Sequence, residues 1–318
     1  MAALVGHDEP WREWRAGMAS GRMHHAWILA GMQGLGKASF ARAAARELVA
    51  EPGVPQPAQH PDILVLEPLP ASEDDARKKE EGKPYATKRN ISVDQIRQIQ
   101  HRLTTRPTLG ARRAIIIDPA DDLEKSAVNA LLKSLEEPPA GCFFLLVAHR
   151  PGRLLPTIRS RCRTLRFPAL SAEQMATVLG RLAPRADGAT RGAAIAAADG
   201  SPGAALGFVE QELGPLHAIM LGLVQGGDEH FVLRGQLAAE IGARPDRERL
   251  LATLDLARAV LLGAVAPAPA AQQVRIIEAH AALASLTAQA PTYNYDPGLL
   301  AMEIGGLLAS AALPREAA

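Results

Sequence analysis

Five apolar runs decide what this chain can fold into. HHAWILAG (residues 24–31), DILVLEP (62–68), AIIID (114–118), FFLLVA (143–148) and RTLRFPAL (163–170) lack a sustained apolar/polar alternation, and segments with helical spacing separate them. Strands buried on both faces read this way, so the pattern predicts an α/β fold: a parallel five-stranded sheet covered by helices on both sides. SFARAAARELVA, from Ser39, reads as a helix. ISVDQIRQIQHRLTTRP reads as another, with Ile91, Val93, Ile96 and Ile99 on its apolar side. LEKSAVNALLKSLEE is a third, with Leu123, Ala127, Leu131 and Leu135 facing inward, and Pro138 and Pro139 stop it. The charged stretch ASEDDARKKEEGKPYATKRN (71–90) has almost no large apolar residue and reads as a flexible surface loop.

Beyond Leu170 the strand signals end. SAEQMATVLGRL begins with a Ser cap, and small residues lead to a break at DGSPGAAL (199–206). Alanine- and leucine-rich helices follow, interrupted at Gly226 and Gly227, near Val265, and at 291–297. The expected division is therefore a nucleotide-fold domain over 1–168, a small helical unit over 169–208 and an all-helical domain over 209–318.

Several function classes drop out on composition. Two cysteines, Cys142 and Cys162, make neither a disulfide framework nor a four-thiolate zinc site, and they fit a reducing compartment. MAALVGHDEPWREW lacks the build of a signal peptide, and no apolar run reaches the ~18 residues that span a bilayer. Residues 209–318 hold seven arginines and twelve acids, a balance of minus five, so the overall net charge of +1 leaves plus six on the first 208 residues. That excess is mild and no basic stripe is interleaved with aromatics, which argues against autonomous DNA binding.

The turn GMQGLGKAS carries the main chemical signal. Gly31, Gly36 and Lys37 keep the G-x-x-x-x-G-K spacing, in which inward amides and a helix start hold an anion and the lysine neutralises a distal phosphate. The metal-binding hydroxyl is missing: Ala38 stands there, and Ser39 points ~100° away on a helix. Asp118 closes the strand IIID as a metal-binding aspartate would, but Pro119 occupies the place of the glutamate that orients the attacking water. Asp121 and Asp122 read as partners of the next helix start. Gly31, Gly34, Gly36, Lys37, Ala38 and Asp118 thus form a degenerate nucleotide site, with weak ATP or ADP binding expected and negligible intrinsic turnover.

In this order and spacing, HHAWILAG with GLGK, HPDILVLEP, ISVDQIRQI, SAVNALLKSLEEPP, FFLLVA and LPTIRSRC resemble the AAA+ clamp-loader subunits, and within them the delta-prime family of bacterial DNA polymerase III. The resemblance covers roughly residues 20–210, and its most specific parts are SLEEPP and SRC. It implies an AAA+ domain, a helical lid and a helical collar that holds an oligomer. It also implies that Arg161 is an arginine finger acting in trans on a neighbour's ATP, since a guanidinium is always charged and presents a planar donor fork. Cys162 is expected to be a small buried hydrophobe.

The implied partners are gamma/tau ATPase subunits and a delta subunit in a heteropentamer, with the sliding clamp and primed DNA reached through the complex. Asn129 and Lys133 are candidates for its DNA-facing side. A cytoplasmic place in the DNA-directed DNA polymerase (nucleotidyltransferase) holoenzyme follows from the same resemblance. Two further departures from the family's ATPases are Ala148 or His149 at the first-sensor place and Gly203 at the second-sensor arginine. No cofactor is expected to be required. The four-cysteine zinc module seen in many relatives is replaced by EPGVPQPAQHP, so no zinc is expected either. Two other readings stay open: an ATP-hydrolysing AAA+ motor, gamma/tau-like or of the Holliday-junction helicase type, and a scaffold that merely retains the fold.

Overall fold

The computed structural model describes residues 5–290 and 295–313, so the opening residues 1–4 and part of the break read at 291–297 lie outside it. Two compact units emerge, Met1–Ala169 and Leu170–Ala318.

In the first unit, α1 (Asp8–Ala19) precedes β1 (Ala26–Ala30), and α2 (Lys37–Val49) leads to β2 (Ile63–Leu66). Then come α3 (Glu73–Glu80), α4 (Val93–Leu103), β3 (Arg113–Ile117), α5 (Lys125–Glu136), β4 (Cys142–Ala148), the single turn α6 (Pro156–Arg159) and β5 (Arg163–Arg166). All pairings are parallel and the strand order is β2-β3-β4-β1-β5. This is the five-stranded parallel sheet that the apolar runs predict. The chain leaves central β1 for the edge at β2 and returns strand by strand to β4 beside β1, which opens a crevice at the carboxyl end of β1.

Successive residues of the central strands point to opposite faces, and both faces are covered. Ile28, Ile115, Ile117, Phe144 and Leu146 face a core shared with Ile96, Leu103, Ala127, Leu131 and Leu135 of α4 and α5. On the other side Trp27 meets Trp14 of α1 edge-on at 5.6 Å, and Phe40 of α2 lies 5.0 Å from Phe167. The edge strands differ: Val65 in β2 and Arg163, Thr164 and Arg166 in β5 are exposed, because an edge has cover on fewer sides. Gly141 enters β4 with φ +76°, and a Cβ there would fall 2.3 Å from the carbonyl oxygen of Ala111, so only glycine fits.

Three readings need correction. Residues 71–90 are not a loop throughout: α3 forms there although it buries nothing. Local terms explain it, since Ser72 caps the Asp75 amide, acids fill the first turn, bases fill the last, and Asp74 pairs with Lys78 at 2.7 Å. Ile91 lies outside α4 and bridges to Leu123, while Ser92 and Gln95 close a capping box. Asp121 is no helix cap: its carboxylate accepts the amides of His149 and Arg150 at 2.5 and 3.1 Å.

The second unit is helical throughout its described residues. It comprises α7 (Ala172–Leu182), α8 (Gly188–Ala197), α9 (Pro202–Glu210), α10 (Gly214–Gly226), α11 (Val232–Ile241), α12 (Arg247–Val265), α13 (Ala270–Gln289) and α14 (Pro297–Ser310). Ser171, Asp187, Ser201, Asp246 and Asp296 cap α7, α8, α9, α12 and α14 through their side chains. With few aromatics available, the core rests on Leu216, Met220, Leu223, Leu237, Leu261, Ile276, Leu283, Ile304 and Leu308. No helix among the described residues is long and apolar enough to cross a membrane.

Candidate functional site

The carboxyl ends of β1, β2, β3 and β4 bring Gly31, Glu67, Asp118 and His149 to one edge of the sheet. Gly31 continues β1 by donating its amide to the Ala148 carbonyl at 3.2 Å. A Cβ on it would lie 2.5 Å from the Phe167 carbonyl oxygen, which explains a glycine at that point. Gly34 and Gly36 take φ of +81° and +79°, the left-handed region that curls the loop before α2 starts. Leu35 is buried under the loop, and its carbonyl pairs with His7 Nε2 at 2.6 Å, so α1 braces the turn from beneath. The loop thus curls directly into the N-terminus of α2, a geometry that suits an anion.

Lys37 is almost fully buried, at 2% exposed. Its ammonium donates to the carbonyls of Gly31, at 2.7 Å, and Met32, so the loop's own oxygens hold the charge. Burial pushes its pKa down to about 8, with Asp121 and Asp118 opposing the shift. Asp118 is itself raised, by burial and by Glu67, against Arg42 and Lys37. Burial and the Lys37 charge push His149 down to about 4, so its imidazole is neutral at physiological pH.

The residues of this site fit an anion but not metal-assisted hydrolysis. Ala38 is half-buried and has no hydroxyl, Ser39 is exposed on the outer side of α2, and Pro119 follows Asp118 through a cis peptide with no carboxylate to orient water. Among the described residues no three His, Cys, Asp or Glu side chains converge as metal ligands. Gly203 lies exposed on α9 of the second unit, and Asn129 and Lys133 are exposed on α5.

The titration of Lys37 is measurable. Folded, it loses its proton near pH 8, whereas the unfolded chain keeps it to the ordinary value of 10.5. Between those values the unfolded chain binds more protons, so this group makes stability rise with pH, by up to about 1.4 kcal/mol per pH unit. Below pH 8 both states are protonated and the cost of burial is constant. Urea denaturation of the parent and of Lys37→Met at intervals from neutral pH upward should diverge in this window. Parallel profiles would mean that Lys37 keeps its charge.

Arg161 stands apart from this loop. It follows α6 in the turn into β5, where its amide donates to the Ile158 carbonyl at 3.0 Å. Its Nη1 donates to the Thr157 carbonyl at 2.9 Å and to Ser160 Oγ at 3.3 Å, and its Nη2 lies 2.7 Å from Glu136 Oε1. The side chain is 35% exposed. Cys162 beside it is half-buried against the core, and burial pushes its thiol up to about 12, which excludes a reactive thiolate. The sequence signalled Arg161, but nothing in helix spacing pointed to Glu136 as its partner.

A family model described as DNA polymerase III, delta subunit, matches residues 6–171. DNA polymerase III subunit delta' of Pseudomonas aeruginosa is 33% identical over 208 residues, which cover 61% of this chain and 58% of that protein. Its counterpart in Escherichia coli is 34% identical over 209 residues, covering 61% and 57%. The match thus spans somewhat more than half the length of these relatives. DNA polymerase III subunit tau of Salmonella typhimurium is 32% identical over 179 residues, 55% of this chain and 26% of that one. Among solved structures, a DNA polymerase III gamma subunit-related protein from Thermotoga maritima covers 95% of this chain and 99% of its own at 19% identity, with a TM-score of 0.47.

Proposed function

Because the chain belongs to the delta-prime family of DNA polymerase III, we propose that it is the non-hydrolysing, stator-like member of a clamp loader and lends Arg161 to the ATP site of a neighbouring subunit. The observation that carries this reading is a phosphate loop complete in its backbone and lysine yet lacking both the metal hydroxyl, at Ala38, and the water-orienting acid, at Pro119. A turnover site cannot lose both and retain its rate. A half-buried guanidinium on a short turn, by contrast, needs no chemistry of its own to act across a boundary.

In this reading the partners are gamma/tau ATPase subunits and a delta subunit in a heteropentamer. The assembly opens the sliding clamp and delivers it to primed DNA in the cytoplasm. Residues 169–208 act as the lid and 209–318 as the collar that holds neighbours together. The Lys37 loop takes ATP or ADP weakly at most, with its own carbonyls as competitors, and neither nucleotide nor zinc is required. The subunit belongs to the polymerase holoenzyme without carrying nucleotidyl transfer itself.

Phosphate release separates this from the motor reading. The purified chain should release none above background from ATP, and Lys37→Ala should change nothing. Mixing the chain with gamma/tau and delta subunits and primed DNA should raise the rate. Release by the chain alone that Lys37→Ala abolishes would instead identify an ATP-hydrolysing AAA+ motor.

A further inference from the structure

The two most specific motifs of the first unit meet through one ion pair. Glu136, from SLEEPP, is the last residue of α5, and Arg161, from SRC, lies 2.7 Å from it. Glu137 follows as the C-cap, so two carboxylates adjoin a helix end that already carries partial negative charge. Helix stability therefore does not account for an acid at 136. Among the described residues Glu136 pairs with no other cation. The second end of the guanidinium is also turned inward, onto the Thr157 carbonyl and Ser160 Oγ. Both terminal nitrogens of the fork are thus engaged on the chain's own atoms.

We infer that Glu136 is a positioning residue that parks Arg161 against α5 and α6, and that a neighbour's triphosphate must displace it before the guanidinium can act. The inference rests on the reading of Arg161 as a cation donated in trans. Its physics is a competition between anions. A carboxylate left in contact would cancel most of the field that the guanidinium brings to a developing phosphoryl charge, so pairing and catalysis exclude each other. The pair is 35% and 48% exposed, and pairs of that kind are weak. Several phosphate charges at a partly dry boundary outcompete one half-solvated carboxylate. Glu136 therefore biases the resting orientation without locking it.

The test uses the reconstituted complex with primed DNA, carrying the parental chain, Glu136→Gln, Arg161→Ala or both, and single-turnover phosphate release as the readout. Glu136→Gln should be about two- to five-fold faster than the parent. That gain should vanish in the Arg161→Ala background and shrink as salt is raised, because salt screens the pair it removes. Glu136→Ala should change the rate in the same direction, and thermal melts check that both variants fold. A Glu136→Gln rate at or below the parent's, with Arg161→Ala slowed, overturns the parking contact and leaves the donated cation standing. An Arg161→Ala complex at the parental rate removes the donated cation and the inference with it.

Discussion

Replacing Arg161 by alanine should slow ATP hydrolysis at the site facing this chain by about 10³-fold or more, with the turnover of the whole complex falling by that site's share. The size follows from what the group supplies: a permanent charge and a planar fork at the moment negative charge moves between phosphoryl oxygens. Arg161→Lys should recover little, since an ammonium keeps the charge and loses the fork. The chain itself should fold normally. Its Glu136 pair is half-exposed, and removing such a pair costs no more than about 1 kcal/mol. Two neighbours serve as controls. Arg159 is exposed two residues back, and Arg163 is held by Glu13 at 3.0 Å and lies over the Trp27 ring at 5.2 Å. Their alanine variants should leave the rate within about two-fold, which separates a positioned guanidinium from general positive charge near a boundary. Single-turnover phosphate release by the reconstituted complex decides it, and parental rates for Arg161→Ala would reject the assignment.

The sheet was legible in the sequence because its central strands are covered on both sides. Burial on both faces forbids polar alternation, and β1, β3 and β4 accordingly read as unbroken apolar runs. Elements that bury one narrow stripe were less legible. The helix α1 reaches the core mainly through Trp14 amid charged neighbours, and α3 reaches none, so periodicity was silent on both. The defects at Ala38 and Pro119 could be read by spacing alone, since they concern which atoms a residue possesses. Where a side chain turns cannot be read that way. Asp121 beside a helix start has the pattern of a cap, yet its partners are amides 28 and 29 residues away. That the Lys37 ammonium donates to carbonyls of its own loop is likewise outside what spacing can show. Glu136 and Arg161 are paired by the return of β4 and α6 alongside α5, a long-range contact with no local signature.

Asp62 makes a contact of the same long-range kind, and its loss should unfold the first unit more readily than any change near the phosphate loop. Asp62→Ala and Arg113→Ala should each destabilise by about 3–5 kcal/mol, because either leaves a buried charge without its counter-ion. Asp62 is fully buried and Arg113 is 2% exposed, and Arg113 Nη2 lies 3.4 Å from Asp62 Oδ1. The carboxylate also accepts the amides of Thr108 and Leu109 at 2.7 and 2.8 Å. The guanidinium donates to the carbonyls of Arg102, Thr105 and Arg106 at 2.5, 3.1 and 2.9 Å, satisfying oxygens at and just beyond the end of α4. Two charges thus replace a ladder for a connection that has none, fastening the turn between α4 and β3 onto the entry to β2. Burial alone would raise the Asp62 carboxyl, but the amides of Leu109 and Thr108 and the Arg113 charge outweigh it and hold the pKa below its ordinary value. This group's stabilisation is therefore complete above the unfolded carboxyl's pKa and is lost as pH falls through the lower, folded one. Urea denaturation at neutral pH checks the magnitude, and a loss under about 1 kcal/mol would show that water had replaced the missing partner. The double variant should cost less than the two single losses combined, since removing both charges together strands neither. Because β3 runs from Arg113 to Ile117, directly before Asp118, the same fastening fixes one wall of the crevice at the far end of the strand.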